Sequence, residues 1–290
     1  FPFYTGAYPQ AIAQTVLTYI MLAVSWDMLL RTGQISFGIA GFFGIGSYGA
    51  ALSILYFNIP PLLSILIGGV IAAIFAALLG FAVLKLRGMY FAIATLAVAE
   101  IFRIVITNLK DVTGGPEGEI LPQIIFNGNA YLTYYLLFIA AVLTIVASEV
   151  FQKSRIHYAL TAIRNNETVA RSSGINIFKY LVFVFALTSM IQGIAGGIFA
   201  HTYGFVTPET NFNLDYTLLP LAMALFGGIY GTMGPVVGAL FLGIVSEYLK
   251  LYIPYGHLII YGVIIVIVIL YMPQGVVGLI TRYKKSRSSS

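Results

Sequence analysis

The sequence contains no cysteine, so a disulfide framework and a thiolate metal site are both excluded. Its three histidines, His157, His201 and His257, are widely separated and show no metal-ligand spacing. No nucleophile elbow, paired acidic motif or phosphate-binding loop occurs either. These absences predict a chain that is not an enzyme, holds no metal and does not itself hydrolyse ATP.

Charged residues are also scarce. The 290 residues include 15 basic and 10 acidic side chains, whereas 59% are hydrophobic and the mean hydropathy is +0.94. No basic stripe with interleaved aromatics appears, so nucleic acid is not an expected partner. Apolar runs of about 18 residues or more are typical of transmembrane helices, and these runs lack the alternation of barrel strands. The sequence therefore predicts an all-α, polytopic transmembrane helical bundle in membrane lipid, forming one domain over residues 1–290.

Nine membrane spans are predicted from the apolar runs. Their approximate boundaries are 11–30, 35–57, 62–84, 89–108, 130–150, 180–200, 215–231, 235–250 and 257–273.

The positive-inside rule gives these spans an orientation. If the basic tail 274–290 is cytoplasmic, nine crossings leave only Lys110 and Lys250 outside, while Arg103 lies within a span. The other twelve basic residues are then cytoplasmic: Arg31, Lys85, Arg87, Lys153, Arg155, Arg164, Arg171, Lys179, Arg282, Lys284, Lys285 and Arg287. The predicted C-terminus is cytoplasmic, and residue 1 is outside.

The cytoplasmic loop 151–179 contains an unusually polar stretch, ALTAIRNNETVARSSGIN. Asn166 can cap a helix with Glu167 in its first turn, and Gly174 suits the position that ends it. A helix of roughly eight residues is marginal alone in water, so it is expected to dock against a partner. A solvated amphipathic segment on the lipid headgroups is an equally good interpretation of charge and length.

Two segments are rich in glycine, at 32–52 and 225–243. Such glycines either allow close helix contact or permit helix breaks that line a polar path. Three acids within or beside spans, Asp27, Glu100 and Glu247, each have a basic residue three or four positions later. Neutralised pairs are the simpler interpretation of all three. A role of Glu100 and Arg103 in a transport path is the alternative.

Several stretches together resemble a known family. They are TGQISFGIAGFFGIGSYGAAL, RGMYFAIATLAVAEIFRIV, TGGPEGE, AIRNNETVARSSGIN and YGVIIVIVILYMPQGVVGLI, which run in the same order across nearly the whole chain. The sequence is similar to the LivM-type permeases of branched-chain amino acid ABC transporters.

The resemblance implies a permease subunit in a prokaryotic plasma (inner) membrane. It implies three kinds of protein partner: a LivH-like second permease, two cytoplasmic ATPase subunits that carry ATP and Mg²⁺, and an extracytoplasmic substrate-binding protein. No cofactor is implied in this chain. Family members also have a further helix upstream, so ten spans with a cytoplasmic N-terminus are expected in the intact subunit.

The resemblance also assigns roles to residues. The coupling helix that contacts an ATPase would use Arg164, Asn166, Glu167, Thr168, Val169, Ala170, Arg171 and Gly174. Thr168 and Val169 replace the two residues expected before Ala170, so the pattern is degenerate. Candidates to line the path are Gln34, Ser36, Gly38, Gly44, Gly46, Ser47, Glu100, Arg103, Gly227 and Gly228. Candidates to face the binding protein are Thr113, Gly114, Gly115, Pro116, His201 and Glu209.

Alternatives remain open on the residues alone. A related permease could import urea, short amides or a sugar. A secondary transporter or channel that works without ATP would need unpaired acids or a selectivity constriction, and neither is evident.

Overall fold

The computed structural model describes residues 7–165, 170, 172, 176–252, 262, 263, 266 and 275–278. Helices dominate this part of the chain. They are α1 (Ala7–Leu30), α2 (Ile39–Phe57), α3 (Pro61–Val83), α4 (Met89–Asn108), α5 (Lys110–Thr113), α6 (Ala130–Gln152), α7 (Arg155–Asn165), α8 (Ile177–Tyr203), α9 (Pro208–Asn211), α10 (Asp215–Gly227) and α11 (Met233–Tyr252). Seven helices in the described residues are long and apolar enough to cross a membrane: α1, α2, α3, α4, α6, α8 and α11.

The helices pass repeatedly between two ends of the bundle. At the end that we call the basic end, Arg31 after α1 contacts Ser148 near the end of α6, and Gly33 lies against Arg164. At the opposite or far end, the Tyr8 hydroxyl donates to the Glu247 carbonyl, joining the start of α1 to the last turns of α11. Helices α1 and α6 therefore both run from the far end to the basic end, whereas α11 runs in the opposite direction.

Helix α2 forms the centre of the bundle, packed between α3, α8 and α4. Most of its residues are buried. Gly46 is required there, because a Cβ at this position would collide with the backbone of Gly193 in α8. Gly68 of α3 approaches the Gly46 carbonyl in the same way. The glycines of α2 thus allow three helix backbones to meet at close range, as small residues do in membrane interfaces.

A short β-ladder at the far end joins two loops. Strand β1 (Glu119–Ile120) pairs antiparallel with β2 (Phe205–Val206), with Glu119 opposite Val206. The Leu121 amide also donates to the Gly204 carbonyl. These bonds attach the connection between α4 and α6 to the end of α8.

The structure confirms an all-α multi-pass bundle and seven of the nine predicted spans. The structure does not confirm the span predicted at 215–231. Helix α10 has 13 residues and extends only about 20 Å, less than the roughly 30 Å of a bilayer core. It ends at Gly227, where Gly228 adopts a backbone with φ of +118°. Most of the span predicted at 257–273 lies outside the described residues.

Candidate functional site

A buried polar cluster lies at the basic end, between α1, α6 and the linker 228–232 that joins α10 to α11. We call it the basic-end cluster, and it consists of Asp27, Arg31, Ser148, Gln152 and Thr232. Arg31 Nε donates to Asp27 Oδ2 at 2.8 Å, and both side chains are fully buried. Arg31 Nη2 also lies 2.8 Å from Asp27 Oδ2, and it donates to Ser148 Oγ at 3.0 Å and to Thr232 Oγ1 at 3.4 Å. Thr232 also bonds Gln152 Oε1 at 3.4 Å.

The carboxylate of Asp27 also holds the backbone of the linker. Its Oδ1 accepts from the Tyr230 amide at 2.7 Å, and the Gly231 amide lies beside the same carboxylate. Tyr230 has a φ of +67°, which is rare for a residue with a side chain. Asp27 therefore fixes a strained turn between two helices.

The ring of Tyr230 extends the cluster towards the loop 151–179. The guanidinium carbon of Arg164, at the end of α7, lies 4.4 Å from the ring centroid, within the range of a cation–π contact. Helix α7 covers Arg155–Asn165, so the residues just before the predicted coupling helix are helical. Ala170 is buried. The predicted coupling residues Asn166, Glu167, Thr168, Val169, Arg171 and Gly174 lie outside the described residues.

His157 faces the same region from α7. Its ring lies edge-on to Phe151, with the two centroids 5.9 Å apart. Partial burial lowers the pKa of His157 below its usual 6.5, and the positive charges of Arg31 and Arg164 lower it further. His157 is therefore neutral at pH 7.

A polar cleft lies at the far end, between α1, α6, α8, α10 and α11. It has a volume of about 170 Å³ and is lined by Gln14, Thr15, Thr18, Tyr19, Leu137, Ile198, Phe199, Thr202, Tyr203, Tyr216, Glu247 and Lys250. Lys250 Nζ lies 2.7 Å from Glu247 Oε1. The cleft thus combines hydroxyl groups, aromatic rings and one charge of each sign.

A second cavity of about 240 Å³ shares Tyr19, Tyr216 and Lys250 with this cleft. Its remaining walls are Glu209, Thr210, Asn213 and Asp215. We use the name far-end cleft for the two cavities together. The far-end cleft brings three carboxylates and one ammonium group to a common aromatic surface. Such a surface can bind a small molecule that carries an ammonium and a carboxylate group.

An apolar groove of about 400 Å³ has a different character. Its lining comes from α1, α3, α6 and α8, and among the described lining residues only Thr144 has a polar side chain. Helix α3 exposes Leu62, Leu66, Ile74 and Leu78 beside it. This side of the bundle suits contact with lipid chains.

The predicted path residues of the first glycine-rich segment lie at contacts between helices. Gly44 packs on the Phe212 ring, Gly46 on Gly193 and Gly38 on Thr95. Gln34, Ser36 and Ser47 are buried and bond to backbone groups. None of these six lines the cavities described above, and their role in a path stays a prediction.

In the second segment, Gly227 contacts Gly234, and Gly228 borders a cavity of about 320 Å³ beside the linker.

Glu100 and Arg103 form an ion pair on the outer surface of α4. Arg103 Nε donates to both carboxylate oxygens, at 3.1 and 3.0 Å. The Glu100 side chain is 53% exposed although it lies in a long apolar helix. An exposed ion pair in a span is expected to face protein or water rather than lipid.

The six residues predicted to face a binding protein divide into two groups. Thr113, Gly115 and His201 are buried: the Thr113 hydroxyl bonds the Ile106 carbonyl, and His201 Nε2 lies 2.6 Å from Ser64 Oγ. These three residues pack inside the far end of the bundle, and the side chains of Thr113 and His201 are not available to an external protein. Gly114 is half-buried, whereas Pro116 and Glu209 are exposed.

With this geometry in place, comparison with known proteins assigns the chain to a family. Residues 8–269 match the family described as branched-chain amino acid transport system / permease component. The chain belongs to this permease family. It is accordingly a multi-pass transmembrane component of an ABC transporter, and a transport subunit rather than an enzyme.

Individual relatives of the permease differ in the substrates that their names state. It is 29% identical to the high-affinity branched-chain amino acid transport system permease protein LivM of Escherichia coli, over 94% of this chain and 71% of that protein. It is 24% identical to a probable branched-chain amino acid transport permease protein LivH of Methanocaldococcus jannaschii, over 89% and 88%. It is also 26% identical to the ribose import permease protein RbsC of Escherichia coli, over 89% and 83%. No solved structure matches the permease.

Sequence reasoning missed much of the basic-end cluster. The spacing of Asp27 and Arg31 predicted a pair, and the structure confirms it. Ser148, Thr232 and Tyr230 carried no signal, because Arg31 and Thr232 are separated by 201 positions. A serine, a threonine and a tyrosine in apolar surroundings are ordinary residues until their neighbours are known.

Proposed function

We propose that the permease forms part of the translocation path for branched-chain amino acids in an ATP-driven importer. The observation that carries this proposal is the family match over residues 8–269, together with the similarity to LivM along nearly the whole chain. ATP and Mg²⁺ bind to separate ATPase subunits.

The basic end faces the cytoplasm in this proposal. The basic residues Arg31, Lys85, Lys153, Arg164 and Lys179 belong to this end, whereas Glu209, Asp215 and Glu247 belong to the far end. Cytoplasmic loops carry an excess of basic residues, which supports this direction. The far-end cleft then opens towards the outside.

The substrate enters the far-end cleft as a zwitterion. The carboxylates of Glu209 and Asp215 attract its ammonium group, and Lys250 attracts its carboxylate. The aromatic rings of Tyr19, Phe199 and Tyr216 give an apolar surface for an aliphatic side chain. A neutral sugar would make no comparable use of both signs of charge.

The partners follow from this arrangement. A second, LivH-like permease covers the α4 surface at Glu100 and Arg103, because lipid contact with an ion pair is costly. The external binding protein contacts the far-end loops at Gly114, Pro116 and Glu209. The predicted coupling residues, among them Arg164 and Ala170, dock on a cytoplasmic ATPase; Arg164 lies in the last turn of α7, and Ala170 is buried.

Uptake by the reconstituted complex tests this function. The permease is placed in vesicles with its second permease, both ATPases and the binding protein, and ATP-driven uptake of labelled leucine, ribose and urea is compared. We expect uptake of leucine alone. Uptake of ribose or urea without leucine would favour the related importers, and uptake without ATP would favour a secondary transporter.

A pair of variants tests the cleft. Lys250→Gln removes the ammonium group from the cleft and is expected to lower leucine uptake at limiting substrate by about tenfold, since a hydrogen bond between charged groups is lost. Lys110→Gln, an exposed lysine at the same end, is the matched control. Equal uptake by both variants would remove Lys250 from the path.

A further inference from the structure

Burying the charged pair of the basic-end cluster costs free energy, so its presence requires an explanation. Asp27 and Arg31 are both fully buried. Removing two charges from water is costly, and replacement of a buried ion pair by apolar residues is often neutral or stabilising. Stability alone therefore gives no reason for a charged pair at this place. A requirement to hold one particular backbone conformation gives such a reason.

The conformation that the cluster holds is that of the linker 228–232. Tyr230 is held with φ of +67° while its amide donates to Asp27 Oδ1 at 2.7 Å. Thr232 is held by Arg31, Ser148 and Gln152, so both halves of the linker are fixed to α1 and α6. A strained backbone persists only where its surroundings over-determine it, and such places are common in moving parts.

The same linker contacts the cytoplasmic loop through one side chain. The Tyr230 ring is nearly half exposed and lies beneath the Arg164 guanidinium, which belongs to the last turn of α7. The alkyl chain of Arg164 also packs on Gly33, where φ is +86° and a Cβ would lie 3.2 Å from Arg164 Cγ. A displacement of α7 must therefore disturb both the linker and the turn after α1.

We propose that Asp27, Arg31, Thr232 and Tyr230 are positioning residues that transmit movement of the cytoplasmic loop to the junction of α10 and α11. Arg164 moves with α7 and carries the Tyr230 ring with it. The Tyr230 amide then leaves Asp27, and the short helix α10, whose start borders the far-end cleft at Asp215 and Tyr216, changes its position relative to α11. This inference rests on the proposed function, because it requires an ATPase to move the loop.

Two pairs of variants test this proposal in the complete complex. Tyr230→Asn removes the ring but suits the positive φ, whereas Tyr230→Phe keeps the ring and is its control. Thr232→Val removes the hydroxyl that joins α1, α6 and the linker. Its control is Thr188→Val, because the Thr188 hydroxyl is also buried but bonds only within α8.

The measurement is the number of leucine molecules imported for each ATP hydrolysed. We expect Tyr230→Asn and Thr232→Val to lower this ratio by about tenfold, and both controls to keep it. Hydrogen exchange of the Tyr230 and Gly231 amides is measured on the same samples. It should accelerate in Thr232→Val but not in Thr188→Val, because the linker is released.

The outcomes separate this proposal from the proposed function. If the unmodified complex imports no leucine with ATP, the proposed function fails and this inference falls with it. If the unmodified complex is active and Tyr230→Asn and Thr232→Val keep its coupling ratio, only this inference is overturned. Unchanged amide exchange in Thr232→Val would also overturn it, since the cluster would not be holding the linker.

Discussion

At the scale of single residues, three ion pairs with nearly the same spacing have three different environments. Asp27 and Arg31 are fully buried, Glu247 and Lys250 line a cleft, and Glu100 and Arg103 lie on the outer surface of α4. Helical geometry brings each pair together, since side chains three or four positions apart share a face. What each pair does is set by the groups around it. The buried pair supports a backbone turn, whereas the exposed pair is expected to face protein or water.

His157 gives a prediction about pH. Its folded-state pKa is lowered below its usual 6.5, so the docked helix α7 holds it neutral. When pH falls below the ordinary histidine pKa, the undocked form binds a proton that the docked form does not. The stability of α7 docking is therefore complete above about pH 6.5 and is lost as pH falls through the lowered pKa.

The measurement for His157 is hydrogen exchange of the α7 amides at about pH 7.5 and pH 5, corrected for the intrinsic pH dependence of exchange. We expect protection to fall on acidification. The variant His157→Phe keeps the ring contact with Phe151 and should not lose protection. Equal loss in both proteins would exclude His157 as the cause.

At the scale of elements, the glycines of α2 determine how closely the central helices meet. The sequence left two interpretations of this segment, close contact or a polar path. Gly46 faces the backbone of Gly193, and Gly44 faces the Phe212 ring, so close contact explains both. Periodicity could not decide this, because a helix that is apolar on every side has no distinguishable face.

Gly46→Val is accordingly expected to destabilise the bundle by about 3 kcal/mol or more, because the added side chain meets backbone atoms that cannot rotate away. Thermal unfolding of the purified permease in detergent is the measurement, and the Tm should fall. Gly231→Ala is the control, since a Cβ at Gly231 has no neighbouring atom within 4 Å. A normal Tm for Gly46→Val would mean that α2 and α8 are further apart than described.

At the scale of the whole molecule, the two ends and the two sides of the bundle differ. Helix α3 presents an uncharged apolar surface that suits lipid. The α4 surface and the far-end cleft carry charges and suit protein or substrate. The bundle thus has an apolar side and a charged side, and we propose that further subunits cover the charged side.

Absence of cysteine makes the orientation directly testable. Ile120→Cys at the far end and Tyr158→Cys at the basic end introduce single thiols at side chains that are 80% and 68% exposed. In intact cells, an impermeant thiol reagent should label Ile120→Cys only. In inverted membrane vesicles, it should label Tyr158→Cys only. Ser47→Cys, at a fully buried position, should stay unlabelled in both, and the reverse pattern would invert the proposed orientation.

The sequence by itself determined the class of fold, seven spans confirmed within a few residues, and the pairing of three acids with basic neighbours. Each of these depends on local properties: hydropathy over about 20 residues, or spacing within one helical turn. Only the tertiary structure decided that α10 is too short to cross, that Thr113 and His201 are buried, and that Arg31 meets Ser148 and Thr232. The contacts of Arg31 join residues separated by more than a hundred positions, and their partners are selected by helix packing, which local sequence patterns do not encode.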